Sequence, residues 1–239
     1  MISKKNIVLT TLMASLLAAC GGGDDAPAAG GGSSTTVDTS AYTYFSLADA
    51  PFTARSIDLK KASTTAVVTG SATLASDTAS YSIATDGSLT VSSPFTVVGT
   101  LSTTGLQVCK PAGTAAGANN TAQVFAKSVY IILPADAVPG TFEDLKGKTF
   151  DFYEDCVKDG SLTVNAAGVG TSGSGDTVPA ALLASVFTAS GTTDVEEGAT
   201  VYGKIYKTAT KVYFVERGVP TVPGTANNGN GYIAVNVSR

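Results

Sequence analysis

The stretch Gln123-Val-Phe-Ala-Lys-Ser-Val-Tyr-Ile-Ile-Leu133 lies near the middle of the 239-residue chain and decides its fold. Its second half, residues 129–133, is an uninterrupted apolar run, so a strand formed there would present apolar side chains on both of its faces. A strand with one face in solvent alternates apolar and polar residues, whereas a strand covered on both faces does not. The stretch therefore predicts a central, buried β-strand.

Short extended segments separated by turn residues lie on both sides of this predicted strand. In residues 199–206 and 211–216, apolar residues alternate with Tyr and Lys, which is the period of a half-buried antiparallel pair. Segments rich in β-branched and aromatic residues predict further strands. The other predicted strands are residues 42–45, 64–74, 81–85, 88–92, 95–101, 149–156, 161–169 and 232–237.

Two Asp-Gly pairs predict tight turns, because this dipeptide readily takes the positive φ that such a turn requires. They are Asp86-Gly87 and Asp159-Gly160, and each begins a copy of the hexapeptide Asp-Gly-Ser-Leu-Thr-Val. The repeat leaves two interpretations open: a trace of duplication, or the chance recurrence of a common turn followed by a common strand.

Helical signals are few. Residues 180–187 follow Pro179 and are rich in Ala and Leu, which predicts one short helix that plugs or flanks a sheet. Residues 139–145 predict a turn or one helical turn, and residues 170–176 predict a loop. About ten short strands with one short helix predict an all-β fold, an antiparallel β-barrel or sandwich, in a single domain over residues 41–239.

Composition argues against several functional classes. The chain has no His, which removes the commonest general base, the commonest zinc ligand and every Ser-His or Cys-His pair. Lys and Arg number 15 against 19 Asp and Glu, and this mild acidity argues against nucleic acid as a partner. No phosphate-binding loop, zinc spacing or dinucleotide fingerprint is present. We therefore predict a protein without catalytic residues, metal or cofactor.

The N-terminal residues predict export. Lys4 and Lys5 precede an uncharged, mostly apolar segment, residues 7–19, which has the layout of a secretory signal peptide. The segment is shorter than the roughly 20 apolar residues needed to span a membrane. Small residues end the segment at Ala19, as a signal-peptide cleavage site requires, so that Cys20 would begin the mature chain.

The tetrapeptide Leu17-Ala18-Ala19-Cys20 closely resembles the lipobox of bacterial lipoproteins. The resemblance implies cleavage between Ala19 and Cys20, and a diacylglyceryl group and further acylation, with chains such as palmitate, on Cys20. Two or three acyl chains would hold the protein on a membrane almost permanently. Because residue 21 is Gly rather than Asp, the resemblance favours the outer membrane of the cell envelope, on its periplasmic or its surface face. The alternative is an ordinary secretory signal followed by an incidental Cys.

Residues 20–40 predict a flexible tether between this anchor and the β domain. After Cys20 the sequence reads GGGDDAPAAGGGSSTTVDTS, which is rich in Gly, Ser and Ala and has no hydrophobic periodicity. Such a tether would let the folded domain stand clear of the bilayer.

Cys109 and Cys156 are the two cysteines left after Cys20 is assigned to lipid. An even pair in an exported chain predicts a disulfide, which would close a loop of about 48 residues and contribute roughly 4 kcal/mol. The alternative is a redox-active pair, although the spacing does not resemble C-x-x-C.

The densest group of acidic residues lies on predicted strand 149–156 and just after it: Asp151, Glu154, Asp155 and Asp159. Such a group could bind Ca²⁺ through its oxygens or hydrolyse glycosides through a carboxylate pair. Acids on an alternating strand more often form its solvated face, and we interpret Phe150 and Phe152 as facing inward, with Asp151, Glu154 or their neighbours facing outward. The pair Glu196-Glu197 is interpreted in the same way as turn charges.

Four tyrosines of the predicted C-terminal strands allow two interpretations. They could line a sugar- or peptide-binding face, or they could be cross-strand packing pairs, which we favour. They are Tyr202, Tyr206, Tyr213 and Tyr232.

Three functions are compatible with these observations. The first is an outer-membrane lipoprotein with a non-catalytic β domain that binds or scaffolds an envelope protein. The second is a carrier of a small apolar ligand, because Leu145-Lys-Gly-Lys-Thr-Phe150 faintly resembles the Gly-x-Trp opening of lipocalin-like barrels. The third is a carboxylate-based glycan hydrolase, which would require two inward-facing acids in a cleft. We favour the first, and a continuous apolar cavity would favour the second.

Overall fold

The computed structural model of the protein describes residues 38–49, 52–101, 104–116, 122–125, 127–194, 198–221 and 231–239. The predicted signal peptide, Cys20 and nearly all of the predicted tether lie outside these residues. The described part contains one α-helix, α1 (Ala180–Ser185), and one 3-10 helix (Phe142–Leu145). Its strands are β1 (Thr39–Ser46), β2 (Arg55–Lys60), β3 (Val68–Leu74), β4 (Asp77–Ile83), β5 (Leu89–Val91), β6 (Thr96–Thr100), β7 (Gly105–Lys110), β8 (Gly113–Ala116), β9 (Ala122–Phe125), β10 (Ser128–Ile132), β11 (Val138–Pro139), β12 (Lys148–Glu154), β13 (Val157–Val164), β14 (Gly170–Ser172), β15 (Thr177–Val178), β16 (Thr192–Asp194), β17 (Ala199–Lys207), β18 (Val212–Pro220) and β19 (Tyr232–Ser238).

These strands pair antiparallel, and the predicted all-β fold class is confirmed. β10 lies at the centre of a five-stranded sheet of order β2-β1-β10-β7-β6. Val129 and Ile131 project from one face of β10, Tyr130 and Ile132 from the other, and each is at most 2% exposed. The predicted strand at 123–133 is interrupted, however, because its first residues belong to β9, which pairs with β8 in a separate ribbon.

The three-stranded sheet β3-β4-β5 covers one face of the five-stranded sheet. We call the apolar layer between them the small-sheet core. Tyrosine hydroxyls in this layer bind backbone groups: the Tyr44 Oη accepts from the N–H of Ala75 at 3.1 Å, and the Tyr81 Oη from the N–H of Lys60 at 3.0 Å. The buried members of the small-sheet core are Tyr42, Tyr44, Ile57, Leu59, Leu74, Tyr81, Ile83, Leu89, Leu101, Leu106, Val108, Tyr130 and Ile132.

Asp77, at the start of β4, ties this small sheet to the central sheet. Its carboxylate accepts hydrogen bonds from the ammonium of Lys110 and from the hydroxyl of Tyr130. Burial disfavours the charged form of Asp77, but the hydrogen bonds from Lys110 and Tyr130 outweigh it and lower its pKa. Burial and the bond to Asp77 raise the pKa of the Tyr130 hydroxyl. The polar groups of this layer therefore satisfy one another.

A larger sheet covers the other face of the five-stranded sheet, with the order β11-β17-β18-β19-β12-β13-β14-β15 and β16 beside β17. Phe45, Val129 and Ile131 from the central sheet pack there against Tyr213 and Val215 of β18. The large sheet curls into a half-barrel. Because of this curl, Val164 of β13 and Ile205 of β17 contact the same apolar cluster, although three strands separate β13 from β17.

α1 packs on the concave face of the half-barrel, and Gly203 of β17 makes room for it. A Cβ at position 203 would lie 2.6 Å from the Phe187 ring and 2.8 Å from the Cγ1 of Val186. The N–H of Gly203 also donates to the carbonyl of Val186 at 2.7 Å. The helix predicted over residues 180–187 and the helical turn predicted within 139–145 are both present. None of the described helices is long and apolar enough to cross a membrane.

The predicted disulfide is present and joins the two larger sheets. Cys109 of β7 and Cys156 lie with their Cα atoms 6.1 Å apart. The side chain of Gln107 binds the same region: its Nε2 donates to the carbonyl of Tyr153 at 2.9 Å, and its Oε1 accepts from the N–H of Cys156 at 2.7 Å. One covalent and two hydrogen bonds thus fix β7 to the hairpin of β12 and β13.

That hairpin turns at Asp155-Cys156, and the predicted turn at Asp159-Gly160 is wrong. Asp155 and Cys156 have φ values of 52° and 61°, the positive values of a two-residue turn. The disulfide and the Gln107 hydrogen bonds hold this conformation, although neither residue is Gly. Gly160 instead lies inside β13 opposite Phe152, and the pairing shifts by one residue beside it, at Asp159.

One further prediction differs from the structure, and the strands depart from the sequence analysis at two other points. Residues 170–176, predicted as a loop, contain β14 and the turn to β15. The first strand begins at Thr39, two residues before the predicted domain start. β2 and β7 were not predicted, although both belong to the five-stranded sheet.

Candidate ligand-binding cavity

A cavity of about 400 Å³ lies between the concave face of the half-barrel, α1 and β16. We call it the α1 cavity. Its deeper wall is made of buried side chains, whereas Leu182, 46% exposed, lies at its rim. The lining residues are Leu162, Val178, Leu182, Leu183, Val186, Thr192, Thr193, Val201, Phe214, Glu216, Tyr232 and Asn236.

The alternation of side chains along each strand places the lining residues of β17, β18 and β19 on the concave face of the half-barrel. Phe214 and Glu216 lie two residues apart on β18 and therefore project from the same face, and Tyr232 and Asn236 do so on neighbouring β19. β17 contributes Val201 on the other side of β18. α1 closes the cavity opposite the sheet with its apolar residues, so that most of the wall is aliphatic or aromatic.

Glu216 is the acidic group in this apolar wall. It is half-buried, and its Oε1 accepts a hydrogen bond from the Nδ2 of Asn236 at 3.2 Å. Burial raises the pKa of Glu216 to about 7, the Asn236 hydrogen bond opposes the rise, and the nearby negative charge of Glu154 adds to it. Near neutral pH this position is therefore divided between a hydrogen-bond-donating acid and an accepting carboxylate.

Glu154 and Glu216 flank Ala234 of β19, one on each neighbouring strand. Strands lie about 4.8 Å apart, so the two Cα atoms are separated by about 10 Å on the same face of the sheet. The prediction that Glu154 shares the outer face with Asp151 is therefore wrong. Glu154 lies two residues after Phe152 and has the same parity, so it projects to the concave side.

The other predicted acidic residues do lie on the outer surface. Asp151 forms ion pairs with Lys158 at 3.0 Å and with Arg239 at 2.9 Å, and Asp155 forms one with Lys127. Asp159 is exposed at the irregular position of β13. Among the residues that the structure describes, no group of three His, Cys, Asp or Glu side chains is placed to hold a metal ion. Glu196 and Glu197 lie outside the described residues.

The four tyrosines do not form a common binding face. Tyr206 and Tyr213 are a directly opposed cross-strand pair and are buried between the two larger sheets, as predicted for packing residues. Tyr232 lines the α1 cavity, and its ring covers Gly218, where a Cβ would lie 2.2 Å from the ring. Tyr202 belongs to a different recess, beside Lys204.

Among the recesses larger than the α1 cavity, two of about 660 and 670 Å³ have a different character. The first is lined by residues such as Phe52 and Lys204, and the second by residues such as Lys158 and Arg239. Their side chains are half-buried or exposed, and none is fully buried. The α1 cavity, by contrast, sets an acid with a shifted pKa against buried aliphatic side chains, which is the combination typical of a small-molecule site.

Sequence reasoning did not single out Glu216 or Asn236. A signal was available for Glu216, because Val212 and Phe214 define the apolar face of β18 and Glu216 continues the same parity. Asn236 likewise interrupts an apolar strand, β19, and is 1% exposed. Comparison with protein-family models, curated proteins and solved structures found no match to this chain.

Proposed function

We propose that the protein is a lipid-anchored cell-envelope protein whose β domain binds a small, mainly apolar ligand in the α1 cavity. The anchor is supported by the lipobox-like residues 17–20 and the preceding signal-like segment. The binding function is supported by one observation above all: a cavity of about 400 Å³ with an aliphatic wall and a convergent polar pair, Glu216 and Asn236. Small-molecule sites are typically clefts of about 300–1,000 Å³ with a mostly apolar wall and a few convergent polar groups, and the α1 cavity matches this description.

We propose a carrier function in preference to a scaffolding function. A scaffold needs only an outer surface, whereas the half-barrel and α1 flank a partly open apolar recess beside a polar pair. The carrier here would be a half-barrel roofed by a helix, so the proposal rests on the cavity and not on the lipocalin-like residues 145–150.

We propose binding without catalysis. Glu154 and Glu216 share the concave face, as a carboxylate-based hydrolase would require. A glycan, however, presents many hydroxyl groups, and the wall of the α1 cavity offers them few partners: seven of its twelve lining residues are Leu, Val or Phe. Such a wall suits an apolar ligand body.

The cavity is tested with the full chain, purified and reconstituted in phosphatidylcholine nanodiscs. The probe is a neutral aryl trifluoromethyl diazirine with a hexyl tail, and labelled peptides are identified by mass spectrometry. We expect saturable labelling in α1 and β16. Thr193→Trp, an exposed rim position, should block it, whereas Thr210→Trp in the β17–β18 turn should not. Labelling that does not saturate, or that Thr193→Trp leaves unchanged, would overturn the proposal.

The anchor is tested by expressing the full chain in a Gram-negative host and measuring the intact mass of the product, for the natural chain and for Cys20→Ala. A product that begins at Cys20 and carries acyl mass, which the variant lacks, supports the anchor. An unacylated soluble product would contradict it and leave the binding domain as a secreted protein.

A further inference from the structure

We infer that the α1 cavity selects amphiphilic cations, with the apolar body of the ligand against α1 and a protonated amine against Glu216. This inference rests on the proposed binding function and names the ligand class. It is carried by the placement of one carboxyl group in an otherwise uncharged wall.

The lining of the α1 cavity carries negative charge and no positive charge. Of the twelve lining residues, Glu216 is the one that carries a charge at neutral pH, and none is Lys or Arg. A fatty acid or another anionic amphiphile would bring its own negative charge to this carboxyl without a compensating cation, which is unfavourable in an apolar wall. A neutral ligand would leave the carboxyl without an ionic partner. An amine provides both hydrogen-bond donors and the opposite charge.

The surroundings of Glu216 leave its acceptor capacity open toward the cavity. Its cross-strand neighbours are Gly203 on β17 and Ala234 on β19, and neither has a polar side chain. Among the described residues, Asn236 is the hydrogen-bond partner of its carboxyl group, through one oxygen. A carboxylate can accept about four hydrogen bonds, so the part of the chain that the structure describes uses only a share of this capacity.

The ionisable groups that face Glu216 reinforce this preference. Glu154 on β12 adds a second negative charge on the same face, and Tyr232 on β19 contributes a phenol group to the lining. β17 presents Gly203 and Val201 on this face, and α1 has no ionisable residue. A bound cation would therefore relieve the repulsion between the two carboxylates as well as form an ion pair.

Binding should consequently be coupled to the protonation of Glu216. Without a cation, burial and Glu154 keep its pKa at about 7, so the acid is largely protonated at pH 6 and largely ionised at pH 8. An ammonium group favours the ionised form and releases the proton. The affinity for an amine should therefore fall about tenfold from pH 8 to pH 6, following the ionised fraction.

The test uses three photoreactive probes that share one aryl trifluoromethyl diazirine and a hexyl chain, and end in an amine, a methyl group or a carboxylate. The full chain in phosphatidylcholine nanodiscs is labelled at pH 6 and pH 8, and the half-saturating concentration is read from labelled α1 peptides. At pH 8 we expect the amine to bind most tightly and the carboxylate least tightly. Only the amine should lose affinity, about tenfold, at pH 6.

The matched variants are Glu216→Gln and Glu143→Gln. Glu216→Gln keeps the shape of the side chain and the acceptor for Asn236 but removes the charge. The variant should therefore bind the amine probe no better than the methyl probe, and its affinity for the amine should be the same at pH 6 and pH 8. Glu143 is a carboxyl on the 3-10 helix whose side chain is 74% exposed, and its substitution should change nothing. Saturable methyl-probe labelling of Glu216→Gln shows that the fold and cavity are intact.

The outcomes separate the two proposals. If the methyl probe saturates but the amine shows no preference, or if Glu216→Gln keeps the pH dependence, the cation inference is overturned and the binding function stands. If none of the probes saturates in α1, both are overturned.

Discussion

In the small-sheet core, Tyr44 and Tyr81 each bind a backbone N–H, and Tyr130 shares the carboxylate of Asp77 with Lys110. On the far side of the molecule, Glu216 faces an apolar cavity with one amide as its partner. Both regions bury polar groups within antiparallel sheets. In the small-sheet core these groups have hydrogen-bond partners, whereas in the α1 cavity Glu216 is only partly hydrogen-bonded. Partnered polar groups specify a single packing arrangement, whereas an incompletely partnered acid costs stability and is available to a ligand.

The largest expected effect is loss of the disulfide, which supports the cavity side of the molecule. The double variant Cys109→Ser with Cys156→Ser should lower the free energy of unfolding by about 4 kcal/mol, because the unfolded chain regains the freedom of a long closed loop. Denaturant titration measures the loss, and hydrogen exchange locates it. Exchange should rise in β12 and β13 and stay unchanged in β3 to β5; an equal rise in both would contradict the division into two regions.

A slightly smaller loss is expected when the partnered network is broken. Asp77→Ala removes the carboxylate that binds both Lys110 and Tyr130, and should cost about 3 kcal/mol, the usual result of breaking a largely buried ion pair. Chemical denaturation measures this loss. Asp58→Ala, at an exposed position of β2, is the control and should have little effect. If the two variants were equally stable, the network would not contribute to the small-sheet core.

The pH dependence of stability should distinguish Glu216 of the α1 cavity from Asp77 of the small-sheet core. The pKa of Glu216 is raised in the folded protein, so the folded state holds its proton longer and stability falls as pH rises from about 4.5 to about 7, by at most about 1.4 kcal/mol per pH unit. Glu216→Gln should remove this decline and be more stable than the natural chain at pH 8. Asp77 has a lowered pKa, so its contribution is lost at acid pH instead. Thermal unfolding from pH 2 to pH 8 checks both signs, because the contribution of Asp77 is lost at the acid end and that of Glu216 between about pH 4.5 and pH 7. A Glu216→Gln protein that declined above about pH 4.5 in parallel with the natural chain would contradict the assignment.

The smallest expected change in stability is that of Gly→Ala substitutions in the two copies of the repeated hexapeptide. One copy lies in each of the two regions. Gly87 has a φ of 82° in the β4–β5 turn, whereas Gly160 lies within β13, and a Cβ added there would have no atom within 4 Å. Gly87→Ala should cost about 1 kcal/mol because an L side chain is strained at positive φ. Gly160→Ala should be nearly neutral. Thermal midpoints of the two variants give the comparison directly, and equal shifts would show that the local conformations do not differ as described.

This repeat shows what local sequence can and cannot predict. Asp86-Gly87 forms the predicted turn, with the Asp86 carboxylate accepting from the N–H of Ser88 at 2.9 Å. The identical residues at 159–164 form strand, because the disulfide and Gln107 place the turn four residues earlier. Local turn propensity determines the conformation of the first copy, whereas long-range contacts determine the conformation of the second. The central strand was predictable for a different reason, since a run that is apolar on both faces has few stable environments other than a covered strand.

The candidate site was harder to predict than the fold. The acids that stood out in the sequence, such as Asp151 and Asp155, are ion-paired at the surface, whereas Glu216 occurs singly in a strong strand. Its importance depends on the curl of the large sheet and on α1 covering it, and neither follows from the residues around position 216. Glu154 lies on the concave face because it has the same parity as Phe150 and Phe152 on β12, whereas its charge favours an outward position.

The contacts of Gln107 have a consequence for the chemistry of the neighbouring cysteines. If the disulfide is reduced, the hydrogen bonds of Gln107 to the carbonyl of Tyr153 and the N–H of Cys156 do not depend on the S–S bond, so we expect them to keep the hairpin near β7, although less firmly. The two thiols then remain neighbours, and their re-oxidation is an intramolecular reaction at high effective concentration. When an external disulfide accepts the two electrons, the cross-link can therefore re-form without refolding of the chain.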